Sequence, residues 1–450
     1  MSDNSNKSQS DYLAKHPDTE LVELILPDLC GGLRGKWVTR DKFEKLLAGE
    51  LKMPLSSVVC DVFGRDAQEW VFDTGDGDGY CVPDIRTLVA VPWQSRSMGQ
   101  VLASMHQVGG EPCSYDSRHI LSSLMARIAA MGFTPVVATE MEFYLLSEED
   151  DQFGRPVHTQ TDRVGGSLMA GQTYSVETMA GMADLMHDIR EACQIQGLPV
   201  DTLIKESAPS QYEINLYHCP DALAAADQAV MLKRAIRALA QKHGMRASFM
   251  AKPFGELAGN GMHVHCSLLD SDGNNAFAGE DEQGSVLLRE AVAGCLATMH
   301  ESMLLFAPNL NSYRRFQRGT HAPMAPCWGY ENRTVSLRVP ADSPSAMRLE
   351  HRVAGADANP YLVVAAVLGG ILHGIERKLQ PPPPVQGNAY ELVPPSLPRH
   401  WPAALARFSG SGFVQDTFGP DFRHLYTVLK QQELDEFDRQ VTPMEYDACL

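Results

Sequence analysis

Charged side chains recur two positions apart inside segments that are otherwise apolar. The pairs are Glu140 and Glu142 in PVVATEMEFYLL, His263 and His265 in GMHVHCSL, and Glu350 and Arg352 in RLEHRV. A β-strand places residues i and i+2 on one face, so each pair predicts a strand with its charges on the same side. Val137, Met141 and Phe143 make the other face of the first strand apolar. Because a buried carboxylate must be paired or bound to a cation, the pattern predicts a sheet with one polar, ligand-binding face.

The order of elements predicts an α+β chain with two unequal parts. Residues 1–15 read as a flexible tail, and short apolar runs broken by turns predict a small β-rich domain over residues 16–110. GGEPCSYDS marks the boundary. Longer helical patterns alternating with strands then predict a large domain over residues 111–450, built on an antiparallel sheet and surrounded by helices.

Individual elements follow from periodicity and turn residues. Strands are predicted over residues 135–146, 262–268, 334–339 and 348–353, and helices over 117–131, 176–196 and 220–243. The glycine-rich stretch at 73–80 is interpreted as a hairpin turn. The apolar run at 361–372 is too short to span a bilayer and is interpreted as a buried helix.

Charge and cysteine content exclude several classes of protein. The formal net charge is −18, which repels nucleic acid and makes a cation or an amine a better partner, although solubility alone also explains an acidic surface. The ten cysteines form no CxxC pair, as expected of reduced thiols, and the polar N-terminal segment lacks the apolar core of a signal peptide. We therefore expect a cytoplasmic protein without a membrane partner.

The paired acids also predict a metal site. Glu206 and Glu213 lie on either side of a proline-containing turn in KESAPSQYEINLY, between the first two charged pairs. Several glutamates with one histidine form a hard, oxygen-rich ligand set that favours Mg²⁺ or Mn²⁺ over Zn²⁺. The alternative, a solvated strand face with no ion, stays open from spacing alone.

An arginine cluster adds an anion-binding signal. Between Arg314 and Arg352 there are seven arginines, no lysine and three acids, so this segment carries a charge of +4 in an acidic chain. The planar guanidinium group binds carboxylate and phosphate oxygens in pairs, although an arginine-rich subunit interface has the same composition. Metals facing such a cluster would supply what phosphoryl transfer requires.

With these segments in view, the chain resembles class I glutamine synthetase along nearly its whole length. The matching stretches are VVATEMEFYLL, KESAPSQYEI, FMAKPFGELAGNGMHVHCSL, LLFAPNLNSYRRF, ENRTVSLRVP and RLEHRVAGADANPYLVVAAVL. The resemblance implies a β-grasp N-terminal domain and a catalytic domain whose antiparallel strands form part of an intersubunit barrel. It also implies a homo-oligomer, a dodecamer of two stacked hexameric rings with each active site between neighbouring subunits.

The resemblance also implies roles for individual residues, position by position. The first metal site would be held by Glu142, Glu206 and Glu213, and the second by Glu140, His263 and Glu350. ATP phosphates would be held by Arg333, Arg338 and Arg348, with Arg333 stabilising the transferring phosphoryl group, and further ATP contacts would come from His265 and Ser267. Glutamate would be bound by Arg315, Arg352 and the backbone of Gly259. A family asparagine is replaced by Ala258, so one glutamate contact is missing or supplied differently.

Two departures from the family pattern bear on the nitrogen substrate. Enzymes of the family that use ammonium have an aspartate in a D-G-S-S turn, where this chain has Pro54 and Leu55 before two serines, and a glutamate on a flap, where it has His321. Losing both carboxylates removes the electrostatic partners of ammonium, whereas an apolar edge accommodates the methylenes of an alkyl amine. The pattern is similar to that of the γ-glutamylpolyamine synthetases.

The hypothesis is therefore ATP-dependent ligation of the glutamate γ-carboxylate to a primary amine through a γ-glutamyl phosphate, as in polyamine catabolism. The amine would be a polyamine such as putrescine, spermidine or spermine, or a monoamine, and His321 would accept its proton. The alternatives are an ammonium-using glutamine synthetase and, more distantly, a non-enzymatic regulator. Tyr390 lies where some class I enzymes are adenylylated, and a packing role is favoured.

Overall fold

The computed structural model describes residues 12–159, 163–164, 167–168, 173–279, 283–340 and 343–450. The predicted α+β class is confirmed, because two large sheets carry many helices. Most of the predicted tail, residues 1–11, lies outside the described residues. Residues 12–15 are helical, and Tyr12 packs its hydroxyl against Gly99 of the first sheet, so this end of the predicted tail is part of the fold.

The first sheet contains six strands. They are β1 (Leu21–Pro27), β2 (Leu33–Thr39), β3 (Lys52–Pro54), β4 (Asp78–Pro83), β5 (Val89–Ala90) and β6 (Met98–His106). Their order is β2-β1-β6-β4-β3, with β5 also paired to β6, and the two central strands β1 and β6 run parallel. Two short helices, α1 (Phe43–Leu47) and α2 (Gln68–Thr74), lie in the connections. This small sheet occupies the region in which the sequence predicts a separate β-rich domain.

The second sheet carries the charged pairs. Its strands are β7 (Thr134–Ser147), β10 (Val200–Lys205), β11 (Gln211–Leu216), β12 (Met245–Ser248), β13 (Met262–Leu269), β14 (Trp328–Tyr330), β15 (Leu337–Val339) and β16 (Leu349–His351). A separate two-residue pairing joins β8 (Arg163–Val164) to β9 (Ser167–Leu168). The strand order is β10-β11-β7-β13-β16-β15-β14, and neighbouring strands are antiparallel except β14 and β15. Strand β12 also pairs with β7, in the antiparallel direction. Long central strands thus bring residues from distant parts of the sequence side by side.

Helices follow and flank the second sheet. They are α3 (Ser117–Ala130), α4 (Val176–Ala180), α5 (Ala183–Ile195), α6 (Ala222–Lys242), α7 (Val286–Phe306), α8 (Pro360–Arg377), α9 (Ala389–Leu392), α10 (Trp401–Ser409), α11 (Gly412–Phe418), α12 (Pro420–Asp438) and α13 (Pro443–Cys449). Side-chain caps fix several starts, as where Asp116 accepts from the His119 amide and Asp221 from the Leu223 amide. The buried helix predicted at 361–372 is α8.

Four predicted elements differ from the structure. The helix predicted over 176–196 is two helices, since the chain turns at Gly181 and Met182. The supposed hairpin at 73–80 is the end of α2, where Gly75 adopts a left-handed φ of 71°, followed by the start of β4. The strands predicted at 334–339 and 348–353 are only three residues long. Before the first of them, the Asn332 side chain accepts from the Thr334 amide at 2.9 Å and holds that residue in a turn.

A buried ion-pair network joins the two sheet units. Arg118 of α3 donates to both carboxylate oxygens of Asp227 in α6, at 2.9 and 2.8 Å, and to Asp84 beside the first sheet, at 3.0 Å. The Tyr361 hydroxyl donates to the same Asp227 carboxylate at 2.6 Å. All ten cysteines are free thiols, as the sequence predicts. Among the described helices, none has the length and apolar composition needed to cross a membrane.

Candidate active site

The strand register brings the predicted acids and histidines onto one face of the second sheet. Glu140 of β7 pairs with His263 of β13, and Glu142 pairs with Glu213 of β11. On the far side of β13, Glu350 of β16 pairs with His265. Met141 and Phe143 on the opposite face of β7 are fully buried, as the alternation predicts. The polar face of the sequence pattern therefore exists as one continuous surface.

Glu140 lies at the centre of the first group of contacts. Its carboxylate accepts from His263 Nδ1 at 2.9 Å and from His265 Nε2 at 2.8 Å. The Nδ1 atom of His265 accepts from the guanidinium Nε of Arg348 at 3.2 Å, so its Nε2 carries the proton donated to Glu140. Burial opposes ionisation of Glu140, but these hydrogen bonds outweigh it and hold its pKa well below the usual range. Glu140 is thus an oriented, ionised carboxylate.

Three further glutamates crowd the same surface. Glu142 accepts from the Gly261 amide at 2.7 Å, and Glu206 accepts from the Ser207 amide at 3.2 Å. Glu213 is 6% exposed, and its pKa is raised well above the usual value, first by burial and then by repulsion from Glu140, Glu142 and Glu206. Burial and the Glu142 charge also raise the pKa of Glu206. Such a concentration of buried acids favours binding of a cation.

The donor atoms fit a divalent metal. Two sets of side chains each offer ligand atoms within 4.8 Å of one another, Glu140–His265–Glu350 and Glu140–Glu213–His263. Together they contain four of the six predicted metal ligands and add His265, for which the sequence predicted an ATP contact. The other two predicted ligands, Glu142 and Glu206, line a cavity with His263. Carboxylates with one or two imidazoles form the kind of site that Mg²⁺ or Mn²⁺ occupies.

Two arginines of the predicted cluster neutralise Glu350. Arg338 donates to Glu350 at 2.8 Å and to Glu331 at 2.7 Å, and Arg352 donates to the other Glu350 oxygen. Glu350 is fully buried, and although burial opposes its ionisation, Arg352 and the two nearby imidazoles lower its pKa to about 2. The guanidinium groups therefore lie against the metal-ligand face, where they can also reach an anion bound there.

Of the remaining predicted ATP contacts, Ser267 lies on β13 and Arg333 lies in a loop. Ser267 follows His263 and His265 at the two-residue spacing of β13, and it is 8% exposed. Arg333 is exposed in the connection between β14 and β15. It lines a surface cleft with the loop at residues 384–388. Ser267 thus shares the strand face of His263 and His265, whereas Arg333 lines a cleft separate from the cavity with Glu142 and Glu206.

The cavity beside the glutamates contains the predicted glutamate-binding residues and His321. It is lined by Glu142, Glu206, Ser207, Gln211, Ala258, Gly259, His263, Arg315, Thr320, His321, Ala322 and Arg352. Arg315 is 5% exposed and donates to the Val353 carbonyl at 3.0 Å. His321 has its pKa lowered by burial and by the charges of Arg352 and Arg333, so its neutral imidazole is favoured at pH 7. Anion-binding and proton-accepting groups therefore share one cavity.

Gly259 is a glycine because of its neighbours. A Cβ at this position would lie 2.4 Å from the Ala251 carbonyl oxygen and 2.6 Å from Cγ of Arg315. The loop is pinned on its other side by Tyr144, whose hydroxyl donates to the Ala258 carbonyl at 2.6 Å, and by Gln211, whose amide donates to the Gly259 carbonyl at 3.0 Å. These contacts fix the backbone that the sequence assigned to the glutamate amino group.

Sequence analysis missed Tyr144 and Gln211. A usable signal was present for Tyr144, because it continues the two-residue spacing of Glu140 and Glu142 along β7. Gln211 begins β11 two residues before Glu213, so the two-residue spacing places it on the same face. A glutamine there looks like an ordinary polar turn residue, and only the folded loop shows which carbonyl it contacts.

Pro54 and Leu55 lie elsewhere in the chain. Pro54 ends β3 of the first sheet, and Leu55 begins the 3₁₀ turn Leu55–Val58, with its side chain against Gly79. Neither is among the described residues that line the cavity with His321. Their role at the amine edge therefore stays a prediction.

Comparison with known proteins agrees with this geometry. A family model described as "Glutamine synthetase, catalytic domain" matches residues 114–449. The chain is 39% identical over 441 residues to gamma-glutamylputrescine synthetase PuuA of Escherichia coli strain K12, covering 98% of this chain and 93% of that protein. It is 34% identical over 454 residues to glutamate–isopropylamine ligase of a Pseudomonas species, covering 98% and 96%. A solved structure titled as a GmaS/ADP complex superposes with a TM-score of 0.86 at 26% identity, covering 100% of this chain and 99% of that one.

Proposed function

Since the chain belongs to the glutamine synthetase family, we propose that it is an ATP-dependent ligase joining the glutamate γ-carboxylate to a primary amine. The observation that carries this proposal is the sheet face on which Glu140, His263 and Glu350 lie beside buried guanidinium groups. The similarity to gamma-glutamylputrescine synthetase and glutamate–isopropylamine ligase supports an amine as acceptor. Putrescine, spermidine, spermine and simple monoamines are the candidates, and polyamine catabolism in the cytoplasm is the corresponding role.

The residues that would hold two divalent ions, Mg²⁺ or Mn²⁺, form two triads. They are Glu142, Glu206 and Glu213 for the first ion and Glu140, His263 and Glu350 for the second. When bound, the ions neutralise phosphate oxygens and so lower the barrier to phosphoryl transfer. The pKa of Glu213 is raised first by burial and then by repulsion from Glu140, Glu142 and Glu206, which supports a cation at this cluster of acids.

The other groups bind and orient the substrates. We assign Arg333, Arg338 and Arg348, with His265 and Ser267, to ATP, and Arg315, Arg352 and the Gly259 backbone to glutamate. Bidentate guanidinium groups align the phosphates with the attacking carboxylate. Such positioning accounts for much of the rate acceleration in phosphoryl transfer. The γ-phosphoryl group moves from ATP to the glutamate side-chain carboxylate, forming an acyl phosphate and ADP.

Amine attack completes the reaction. The amine nitrogen forms a bond to the acyl carbonyl carbon, the carbon–oxygen bond to phosphate breaks, and a proton must leave the nitrogen. We assign this proton to His321, whose neutral imidazole is favoured by its surroundings. Pro54 and Leu55 of a neighbouring subunit would contact the methylenes of the amine in a dodecameric assembly. Their apolar surface would disfavour ammonium.

An acceptor panel tests the proposal. Phosphate release is measured with ATP, glutamate and Mg²⁺ plus ammonium, putrescine, spermidine, spermine, ethanolamine or isopropylamine at equal concentration. We expect an alkyl amine to give a higher kcat/KM than ammonium. If ammonium is the better acceptor, the chain is a glutamine synthetase and the reasoning from Pro54, Leu55 and His321 is wrong.

Metal binding is tested without turnover. Binding of Mn²⁺ to the purified protein removes the electron paramagnetic resonance signal of the free ion. We expect Glu213→Gln to weaken this binding at least about tenfold, because it removes a negative ligand. Glu69→Gln, at an exposed position of α2, is the matched control and should bind as the wild type does. Equal binding by both variants would remove Glu213 from the metal site.

A further inference from the structure

The segment carrying His321 is held in a strained conformation. In residues 316–327, all within the described part, the chain forms neither helix nor strand. His321 has a φ of 57°, in the left-handed region that a residue with a Cβ adopts only at a cost in free energy. Such a conformation persists where neighbouring contacts over-determine it. The contacts on both sides of His321 therefore decide where its imidazole lies.

On the N-terminal side, the segment is tied to its own stem. The Thr320 hydroxyl contacts two backbone carbonyls, those of Arg315 at 3.0 Å and Gln317 at 2.8 Å. Arg315 is itself buried against Gly259. We call residues 316–327 the His321 segment. Its N-terminal end is thus fixed to the side of the cavity that contains Arg315 and Gly259.

On the C-terminal side, the contact comes from a distant part of the chain. The Tyr390 hydroxyl donates to the carbonyl of Ala322, the residue directly after His321, at 2.9 Å. Tyr390 belongs to the short helix α9, whose first residue, Ala389, donates its amide to the Thr334 hydroxyl at 2.9 Å. Thr334 directly follows Arg333. Tyr390 therefore connects the His321 segment to the turn that carries the proposed catalytic arginine.

The hydroxyl of Tyr390 is a permanent donor. Burial raises its pKa to about 12, against the opposing charges of Arg352 and Arg315. At any pH near neutrality the phenol is protonated, so the hydrogen bond to Ala322 is always available. Replacing the tyrosine by phenylalanine removes this one bond and keeps the ring.

We propose that Tyr390 is a positioning residue for the amine step. By holding the Ala322 carbonyl, it keeps His321 in the strained conformation that faces the cavity with Glu142 and Arg352. This inference rests on the proposed function of His321, but the restraint itself does not. Without the hydroxyl, His321 relaxes to an ordinary backbone conformation for part of the time. The amine step then slows, while binding of ATP and glutamate is unchanged.

Two measurements on Tyr390→Phe test this inference, with Tyr446→Phe, an exposed tyrosine of α13, as the matched control. The first is hydrogen exchange of the amides in residues 317–324 in the enzyme without substrates. The second is steady-state kinetics with the best amine of the acceptor panel. Loss of one hydrogen bond predicts exchange faster by about fivefold and an amine kcat/KM lower by about fivefold. The KM values for ATP and glutamate should stay within about twofold of the wild type.

The outcomes separate the inference from the proposed function. If hydrogen exchange of residues 317–324 is unchanged in Tyr390→Phe, the hydrogen bond to Ala322 does not restrain the His321 segment, whatever reaction the protein catalyses. Faster exchange with an unchanged amine kcat/KM would overturn the positioning role. An equal loss of kcat/KM for ATP, glutamate and the amine would also overturn it, because such a loss indicates a general structural effect. If the wild type ligates no amine, the proposed function fails on its own and the amine-step role of Tyr390 falls with it.

Discussion

Replacing Gly259 by alanine places a methyl group where the loop and Arg315 already touch. The added Cβ would lie 2.4 Å from the Ala251 carbonyl oxygen and 2.6 Å from Cγ of Arg315, whereas ordinary contact begins at 3.4 Å. The Ala251 carbonyl also accepts from the Asn260 amide at 2.8 Å, so the backbone resists displacement. Arg315 must therefore move by about 1 Å to make room.

The size of the effect follows from this displacement. Overpacking of this kind costs about 1–3 kcal/mol in stability. A misplacement of about 1 Å in a substrate-positioning group lowers the rate by about a hundredfold. Because Arg315 is assigned to glutamate, we expect kcat/KM for glutamate to fall by about 10- to 100-fold. The KM for ATP should change by less than about twofold.

The assay is steady-state kinetics with glutamate varied at saturating ATP and amine. Gly255→Ala is the matched control, because a Cβ at 255 meets no atom within 4 Å. Urea denaturation of both variants separates a loss of folded protein from a loss of binding. If Gly259→Ala retains a glutamate kcat/KM within twofold of Gly255→Ala, the close packing of Arg315 on this loop does not shape the site.

Three further predictions concern catalysis and stability. His321→Ala should lower amine-dependent turnover by about a hundredfold with little change in the KM for ATP, and unchanged turnover would remove His321 from the mechanism. Arg118→Met leaves Asp227 buried without its partner and should lower the free energy of unfolding in urea by about 3–5 kcal/mol, whereas Arg127→Met, which breaks an exposed ion pair, should cost less than about 1 kcal/mol. Equal effects of these two arginine variants would contradict the role of burial. Burial, together with the positive charge of Arg237, lowers the pKa of Lys233 to about 7. The folded state disfavours the charged amine, so stability is full above the unfolded pKa of about 10.4 and is lost as pH falls towards 7. Between pH 7 and 10 the wild-type unfolding free energy should rise relative to Lys233→Met by about 1.4 kcal/mol per pH unit, and parallel profiles would refute the shift.

Much of the site could be predicted from local pattern. The alternation around Glu140 and Glu142 is a property of consecutive residues, and a strand converts it directly into a polar and an apolar face. The same holds for His263 and His265 on β13. Hard oxygen ligands together with guanidinium groups indicate metal and anion chemistry from residue type alone.

Other features could not be predicted because they arise between distant segments. One ring nitrogen of His265 contacts Glu140 and the other contacts Arg348. His265 therefore belongs to the acid cluster, in addition to its predicted contact with ATP. Nothing in GMHVHCSL distinguishes the two histidines, since both have apolar neighbours and lie on the same strand face. Tyr144 and Tyr390 likewise act through single hydrogen bonds to backbone carbonyls in other loops.

The α+β class and the charged face of the central strands follow from the amino-acid sequence alone, and so does the set of residues to which the chemistry is assigned. These depend on periodicity and residue type, which are local. The tertiary structure decided which carboxylate each imidazole and guanidinium contacts, why position 259 admits only glycine, and how His321 is held in a left-handed conformation. Those features depend on distances of a few ångströms between segments far apart in sequence, and such distances exist only once the sheet register and the loops are fixed.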